Sequence, residues 1–264
     1  MRHMNIILVD PAELEADTVI LDDRRAEHIR KILKSRVGDT LRAGIIDGPM
    51  GFARVLDLDG KRVTLRLDCQ LSPPAKAVTD LILALPRPIM LKRVLAQAAA
   101  LGVQHIMLVN ARRVEKSFFH SSLLAPAGLR AALLQGLEQA VDTRLPTVSL
   151  HPRFRPFVED EVARLTPLYG RRLLAHPGEE PNRATGVAGT GMTAGPSPAG
   201  RRRQLLAIGP EGGWVDFEVD CFLAQGFSLF SPGPRILRVD TAVPVLLALA
   251  EHGRSPAEPD LARA

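Results

Sequence analysis

Three short segments in the second half of the chain have residue types suited to holding a planar, polar ligand. They are Leu-Ala-His-Pro at 174–177, Ile-Gly-Pro-Glu-Gly-Gly at 208–213 and Gly-Pro-Arg-Ile-Leu-Arg-Val-Asp-Thr-Ala at 233–242. Glycine allows positive φ angles and a close approach of the backbone, and proline fixes the chain direction. Rigid loops of this kind expose amides and carbonyls, which suit an adenine and a ribose.

Each segment alone has a plainer interpretation. A single GPEGG is usually a structural turn, a lone His176 is usually a histidine satisfied by its neighbours, and a lone Arg238 is usually part of a surface ion pair. Three such loops in order favour a binding site. The Walker pattern and the dinucleotide-binding glycine fingerprint are both missing from the sequence, which disfavours a triphosphate and a nicotinamide cofactor.

The elements around these segments alternate between strand and helix, which predicts a mainly parallel sheet. Ligands bind at the carboxyl ends of such strands, where all three segments lie. The predicted strands are 81–85, 105–109, 172–175, 204–208 and 227–230. The predicted helices are 87–101, closed by Gly102, and 127–141, 216–225 and 241–252.

The first part of the chain has short strands at 6–9, 40–46, 51–58 and 62–67, separated by turn signals, and this pattern predicts a small barrel or sandwich. A basic helix at 24–35 interrupts the strands. A proline-containing linker at 71–79 separates two domains, predicted at 1–72 and 78–256. Residues 182–203 are rich in Gly, Ala, Thr, Ser and Pro and are predicted to form a flexible surface insertion.

Composition narrows the class of protein further. The formal net charge of +5 favours an anionic partner without naming it. The two cysteines, Cys69 and Cys221, support neither a disulfide framework nor a metal motif, so we expect a reducing, cytoplasmic location and no metal. The longest apolar run, 243–250, is too short to span a bilayer, so no membrane contact is expected.

Taken together, IGPEGG, Glu218 and the Gly-x-Arg-Ile-Leu-Arg-x-Asp-Thr-Ala segment resemble the RsmE family of 16S ribosomal RNA (uracil-N3)-methyltransferases. The segment 27–34 with Gly38-Asp39 resembles the amino-terminal part of that family. The resemblance implies an α/β fold: a small PUA-like β-barrel followed by a SPOUT domain tied in a trefoil knot. It also implies S-adenosyl-L-methionine as cofactor, 16S rRNA or the small ribosomal subunit as partner, and a homodimer.

The resemblance also implies roles for individual residues. Arg238 would stabilise charge on the uracil, and Asp240 or Glu211 could act as a base, although a helix cap and a loop brace are equally good interpretations of these two carboxylates. The implied cofactor-binding residues are Leu174, His176, Ile208, Gly209, Glu211, Gly212, Gly213, Pro232, Gly233, Ile236, Leu237, Arg238 and Thr241. The cations expected to contact RNA are Arg24, Arg25, Arg30, Lys31, Lys34, Arg112, Arg113 and Lys116.

Three departures from the family pattern lie outside the glycine-rich loops. Ala100 stands where the family usually has Glu, Asp142 stands where an Arg is usual, and Met90 stands where a Lys is usual. These differences leave two alternatives open. The chain could be a SPOUT methyltransferase that acts on another RNA position, or a catalytically silent RNA-binding relative that retains the fold.

Overall fold

The computed structural model of the protein describes residues 5–176 and 203–252. These residues separate into two compact units: 5–75 with 130–145, and 76–129 with 146–176 and 203–252. The first boundary between the units lies after residue 75, between the predicted domains 1–72 and 78–256. The segment 130–145, which lies within the predicted second domain, groups with the first unit. Pro177 and the predicted insertion as far as Arg202 lie outside the described residues.

The first unit is built on a five-stranded sheet with the order β1-β3-β4-β5-β2. Its strands are β1 (Ile7–Val9), β2 (Thr18–Leu21), β3 (Thr40–Ile45), β4 (Met50–Asp59) and β5 (Arg62–Leu71). The strand β1 pairs in parallel with β3, and the other pairs are antiparallel. The β4–β5 hairpin turns at Gly60, where φ is +54°, a conformation that glycine adopts without steric cost.

The core of the first unit lies on one face of this sheet. Buried and more exposed residues alternate along the central parts of β4 and β5, as expected for strands with one face in the core. The exposed fraction is at most 1% for Ala53, Val55, Val63 and Leu65. The predicted basic helix at 24–35 is shorter than expected. It consists of α1 (Arg24–Glu27) and one wider turn, and it ends before Lys34, whose φ is +53°.

The second unit contains a six-stranded sheet with the order β11-β9-β10-β6-β7-β8. Every pair is parallel, which confirms the prediction. The strands are β6 (Thr79–Ala84), β7 (His105–Val109), β8 (Thr147–His151), β9 (Arg171–Ala175), β10 (Gln204–Ile208) and β11 (Ser228–Phe230).

The helices predicted at 87–101, 127–141, 216–225 and 241–252 are present. They are α2 (Pro88–Ala100), α3 (Pro126–Ala140), α6 (Asp216–Ala224) and α7 (Val239–His252). The short helices α4 (Phe154–Pro156) and α5 (Ala163–Leu165), which belong to a set of turns between residues 154 and 168, were not predicted. As predicted, Gly102 closes α2 with a φ of +79°. No helix among the described residues is long and apolar enough to cross a bilayer.

The strand order brings the three glycine- and proline-rich segments to one edge of the sheet. The strand β9 pairs with both β10 and β11, so the carboxyl ends of these three parallel strands lie side by side. All residues of the central strands β6 and β10 are buried, as expected for parallel strands covered on both faces. The fold thus presents the three loops together at an edge where α/β proteins bind ligands.

Candidate functional site

A cleft of about 110 Å³ lies at the carboxyl edge of β9, β10 and β11. Its walls are the residues that follow these strands, together with the first turns of α7. Most of the side chains that line it are apolar: Ala175, Ile208, Trp214, Phe230, Ile236, Leu237, Val239, Ala242 and Leu246. The polar side chains in its lining are those of His176, Glu211, Ser231 and Arg235, so the cleft suits a ligand with flat apolar faces and polar edges.

One wall is formed by residues 209–213, the GPEGG loop. The loop turns tightly, since the amide of Gly213 donates to the carbonyl of Pro210 at 2.8 Å and the φ of Gly213 is +74°. Trp214 lies directly behind it: a Cβ added to Gly209 would be 3.1 Å from Trp214 Nε1. Trp214 is itself fixed by Phe222, whose ring centre is 5.1 Å away. Glycine at 209 therefore lets the loop pack against an aromatic support.

A buried carboxylate secures the chain next to this loop. Glu218 is 2% exposed. One of its oxygens accepts the amide of Arg112 at 2.7 Å, and the other accepts the amide of Val215 at 3.0 Å. The side chain of Arg113 adds a hydrogen bond to the carbonyl of Gly212. The GPEGG loop is thus braced both by α6 and by the segment that follows β7.

The opposite wall, residues 232–237, is the PGPRIL loop, and it has much less support. Gly233 has a φ of +131°, and no atom of the described residues lies within 4 Å of where its Cβ would be. Its amide and carbonyl interact with the hydroxyl of Ser231, at 3.3 and 3.0 Å. The Ile236 side chain is 85% exposed. An apolar side chain that lines a cleft and has so few neighbours of its own is available to pack on a ligand.

The three candidate catalytic residues do not converge on the cleft to the same degree. Glu211 lines it. Arg238 is exposed just before α7, and its carbonyl accepts the amides of Thr241 and Ala242 at 2.9 and 2.7 Å. Asp240 lies in the first turn of α7, where its Oδ2 is 3.8 Å from the Arg93 guanidinium. The other oxygen, Oδ1, is buried and has no hydrogen-bond partner among the described residues.

Comparison with known proteins identifies the family to which this arrangement belongs. The RNA methyltransferase domain family matches residues 73–251. Ribosomal RNA small subunit methyltransferase E of Treponema pallidum is 31% identical over 249 residues, which cover 90% of this chain and 87% of the relative. The chain belongs to the ribosomal RNA small subunit methyltransferase E family.

Solved structures show the same fold along nearly the whole length of this family member. A ribosomal RNA small subunit methyltransferase E from Neisseria gonorrhoeae, bound to S-adenosyl methionine, is 21% identical and superimposes with a TM-score of 0.67, covering 95% of this chain and 98% of that one. A methyltransferase from Legionella pneumophila, with bound SAM, is 20% identical with a TM-score of 0.71 and the same coverage.

Of the residues that the family resemblance assigned to the cofactor, eight line the cleft of this RsmE family member. They are His176, Ile208, Gly209, Glu211, Gly213, Pro232, Ile236 and Leu237. Leu174 is buried within β9, Gly212 and Gly233 belong to the walls without lining the cleft, and Arg238 and Thr241 are exposed at the start of α7. Sequence reasoning missed Trp214, although its position directly after GPEGG was a usable signal.

The cations predicted to contact RNA are largely engaged in the first unit. Arg24 forms an ion pair at 2.5 Å with Glu138, which is 5% exposed. Arg25 pairs with Glu13 at 2.5 Å and Asp23 at 2.9 Å. The hydrogen bond from Arg25 lowers the pKa of Glu13, as expected for a carboxylate that accepts from a guanidinium. These two arginines therefore brace the fold.

The remaining predicted cations differ in their surroundings. Lys31 pairs with Glu27 at 2.6 Å, but both side chains are more than 60% exposed, so the pair is weak. Lys34 is exposed and Arg30 is partly buried. In the second unit, Arg112 and Lys116 line a second cleft of about 590 Å³, together with the half-exposed ring of Phe217.

Proposed function

We propose that this chain transfers a methyl group from S-adenosylmethionine to N3 of a uridine in small-subunit ribosomal RNA. The observation that carries the proposal is the cleft formed by three loops on adjacent carboxyl strand ends, in a chain that belongs to the RNA methyltransferase family. The name of the Treponema relative supports the choice of substrate RNA. The uridine N3 position comes from the motif resemblance.

The residues of the cleft fit the proposed cofactor. Ile208, Ile236 and Leu237 offer apolar surface for an adenine ring, and Gly209 and Gly213 line the cleft without side chains, so the backbone there can approach the ligand closely. A Cβ on Gly209 would be 3.1 Å from Trp214 Nε1, so a larger residue there would have to displace the indole or shift the loop that lines the cleft. When bound, S-adenosylmethionine supplies an electrophilic methyl group on a sulfonium sulfur.

The acceptor sets the task of the protein side chains. N3 of uracil carries a proton between two carbonyl groups, so the nitrogen becomes a good nucleophile only as that proton leaves. A guanidinium near the carbonyls would stabilise the negative charge that develops on the ring. Arg238 is our candidate, because it is exposed beside the PGPRIL loop and has no ion-pair partner among the described residues.

Asp240 and Glu211 are the candidates for accepting the proton, and their surroundings differ. Glu211 lines the cleft and is exposed. Asp240 is partly buried, with one oxygen near Arg93 and the other without a partner among the described residues. We favour Glu211 as the group that exchanges the proton with solvent, and Asp240 as a brace at the start of α7.

Finer features of the proposal concern topology and assembly. We infer a SPOUT-type trefoil knot in the second unit and a PUA-like barrel in the first, supported by the strand orders and by the related solved folds. We also infer a homodimer that works in the cytoplasm. The exposed apolar side chains of Ile89 on α2 and Leu249 on α7, 78% and 41% exposed, support a partner surface on these two packed helices.

Mapping the methylated nucleotides by mass spectrometry tests the reaction. Small-subunit RNA from cells with and without the protein should differ by one methyl group on N3 of one uridine. A difference at another base would favour a different target within the family. No difference, together with no binding of S-adenosylmethionine in calorimetry, would leave the chain as an RNA-binding relative. Sedimentation should show a dimer, and a monomer at all concentrations would contradict the assembly.

Single-turnover kinetics with saturating cofactor tests the role of Arg238. We expect Arg238→Ala to lower the rate by about 100-fold, the loss typical of one charge-stabilising group, with little change in RNA affinity. Arg235→Ala is the matched control. It removes a neighbouring exposed arginine from the PGPRIL loop, and because that arginine lines the cofactor cleft, saturating cofactor should compensate for its loss. A wild-type rate for Arg238→Ala would reduce Arg238 to a support for the start of α7.

A further inference from the structure

The outer face of the antiparallel sheet in the first unit carries an unusual set of side chains. The strand register aligns Thr40, Arg54, Arg66 and Thr18 in one row across β3, β4, β5 and β2. The next row contains Arg42, Phe52 and Asp68. Residues directly opposite each other in such a sheet point to the same side, so one aromatic ring and three arginines share this face.

This face is open to solvent, in contrast to the other side of the same strands. Phe52 is 51% exposed, and Arg42, Arg54 and Arg66 are all exposed. Their sequence neighbours Ala53 and Leu65 point the other way and are fully buried. The packing of the unit therefore gives no reason for a phenylalanine at position 52, where polar residues are normal on the solvated side of a sheet.

The arginines are equally hard to explain by stability. Arg54 and Arg66 are direct cross-strand neighbours, and like charges in that position repel. Arg66 has only a long contact of 3.6 Å with the exposed Asp17. Among the described residues, neither Arg42 nor Arg54 forms an ion pair. Stability alone would disfavour this arrangement, so an anionic partner is the simpler explanation.

We propose that this face, defined by Arg42, Phe52, Arg54 and Arg66, binds a single-stranded segment of the substrate RNA. A base would stack on Phe52, and flanking phosphates would contact the arginines. A single strand is required, because only there are the faces of the bases free to stack. Asp68 lies beyond Phe52 from Arg42 and repels phosphate, so the backbone should run on the arginine side.

This inference rests on the proposed function for its choice of RNA. It places the RNA-binding surface on the sheet of the first unit, whereas the sequence predicts it on the basic helix at 24–35. In the helix, Arg24 and Arg25 are already committed to Glu138, Glu13 and Asp23. The three arginines of the sheet keep their charge available. Three arginines around one aromatic ring can contact the phosphates and a base of single-stranded RNA. An apolar protein surface would leave the arginine charges without partners.

The test uses the full chain and a fluorescent single-stranded RNA of twelve nucleotides, with binding followed by anisotropy in the absence of cofactor. Phe52→Leu should raise the Kd about tenfold, since it removes the stacking surface and keeps an apolar side chain. Phe52→Tyr retains the ring and should bind like the wild type. Arg54→Ala with Arg66→Ala should make the slope of log K against log salt shallower by about 1.4.

The matched control is Lys61→Ala, which removes an exposed cation in the β4–β5 turn, away from both rows. Unchanged Kd values for Phe52→Leu and for the double arginine variant would overturn the proposal, as would a wild-type chain that does not bind the oligonucleotide. The anisotropy experiment measures RNA binding alone, and the mass-spectrometry mapping measures methylation separately. Loss of the methylation result with retained binding to this face would therefore refute the proposed function and leave the binding surface intact.

Discussion

The two walls of the cleft differ in how the rest of the protein supports them. The GPEGG loop lies on a buried tryptophan and is held by hydrogen bonds to Gly212 and to the adjacent Val215, whereas every residue of the PGPRIL loop except the partly buried Leu237 is exposed. A preformed wall lowers the conformational cost of binding, and an exposed wall can adjust to a bound ligand. We infer that the first wall fixes the position of the cofactor and that the second closes on it.

The largest expected effect is on the bracing of the GPEGG loop. Glu218→Ala removes a carboxylate that is 2% exposed and leaves the amides of Arg112 and Val215 without their acceptor, so we expect the free energy of unfolding to fall by about 3 kcal/mol. Denaturant titration measures it. Glu211→Ala, which removes an exposed carboxylate from the same wall, should change it by less than about 0.5 kcal/mol. Equal stability of the two variants would show that the bracing is not what supports the wall.

A somewhat smaller effect is expected where the loop touches Trp214. Gly209→Val places a branched side chain against the indole, and such overpacking costs about 1–3 kcal/mol of stability and should also abolish detectable cofactor binding. Gly212→Ala is the control, because its Cβ would meet only the movable side chain of Arg113, at 3.0 Å from Cδ. Calorimetry that detects wild-type binding by Gly209→Val would contradict the close packing of this wall.

The exposed wall should behave in the opposite way, with an effect on binding and none on stability. Ile236→Ser removes an apolar side chain that is 85% exposed, so thermal unfolding should be unchanged. The Kd for S-adenosylmethionine should rise about tenfold, since burial of such a side chain on the ligand contributes about 1.5 kcal/mol. Leu229→Ser, at an exposed site outside the cleft, is the control. An unchanged Kd for Ile236→Ser would mean that the PGPRIL loop does not close on the ligand.

The smallest effect is spectroscopic. Trp214 is the only tryptophan of the chain and lines the cleft, so the intrinsic emission should change when S-adenosylmethionine binds. Ile236→Ser should give the same change at saturation, at a higher ligand concentration, because the supported wall is intact. If the emission did not respond while calorimetry detected binding, the ligand would lie away from the GPEGG loop.

The sequence predicted those parts of the fold whose patterns are local. Apolar runs such as 204–208 are buried strands, and Gly102 ends its helix as expected. The strand β8 escaped prediction because it is an edge strand whose residues are mostly exposed, and β2 was missed as well. The helical turns at 154–168 lacked a steady period, since they are broken into pieces of three to six residues.

The candidate site shows the same limit. Composition alone pointed to the loops, but what a charged side chain does depends on partners that are distant in sequence. Glu218 binds the amide of Arg112, 106 residues away, and Arg24 pairs with Glu138, 114 residues away. A cluster of cations on a short helix therefore resembled an RNA-binding surface, while the structure pairs three of those cations with carboxylates.

The discontinuous first unit has a consequence for how the chain is made. Residues 130–145 supply Glu138 to Arg24, and within this segment Thr143 donates to the carbonyl of Gly48 at 2.6 Å. During synthesis, these contacts cannot form until more than fifty further residues have left the ribosome after residue 75. All five strands of the sheet precede residue 75, but the segment that completes the unit is translated only after β6 and β7 of the other unit. A gene fragment cut at residue 75 would therefore encode a unit that lacks this segment.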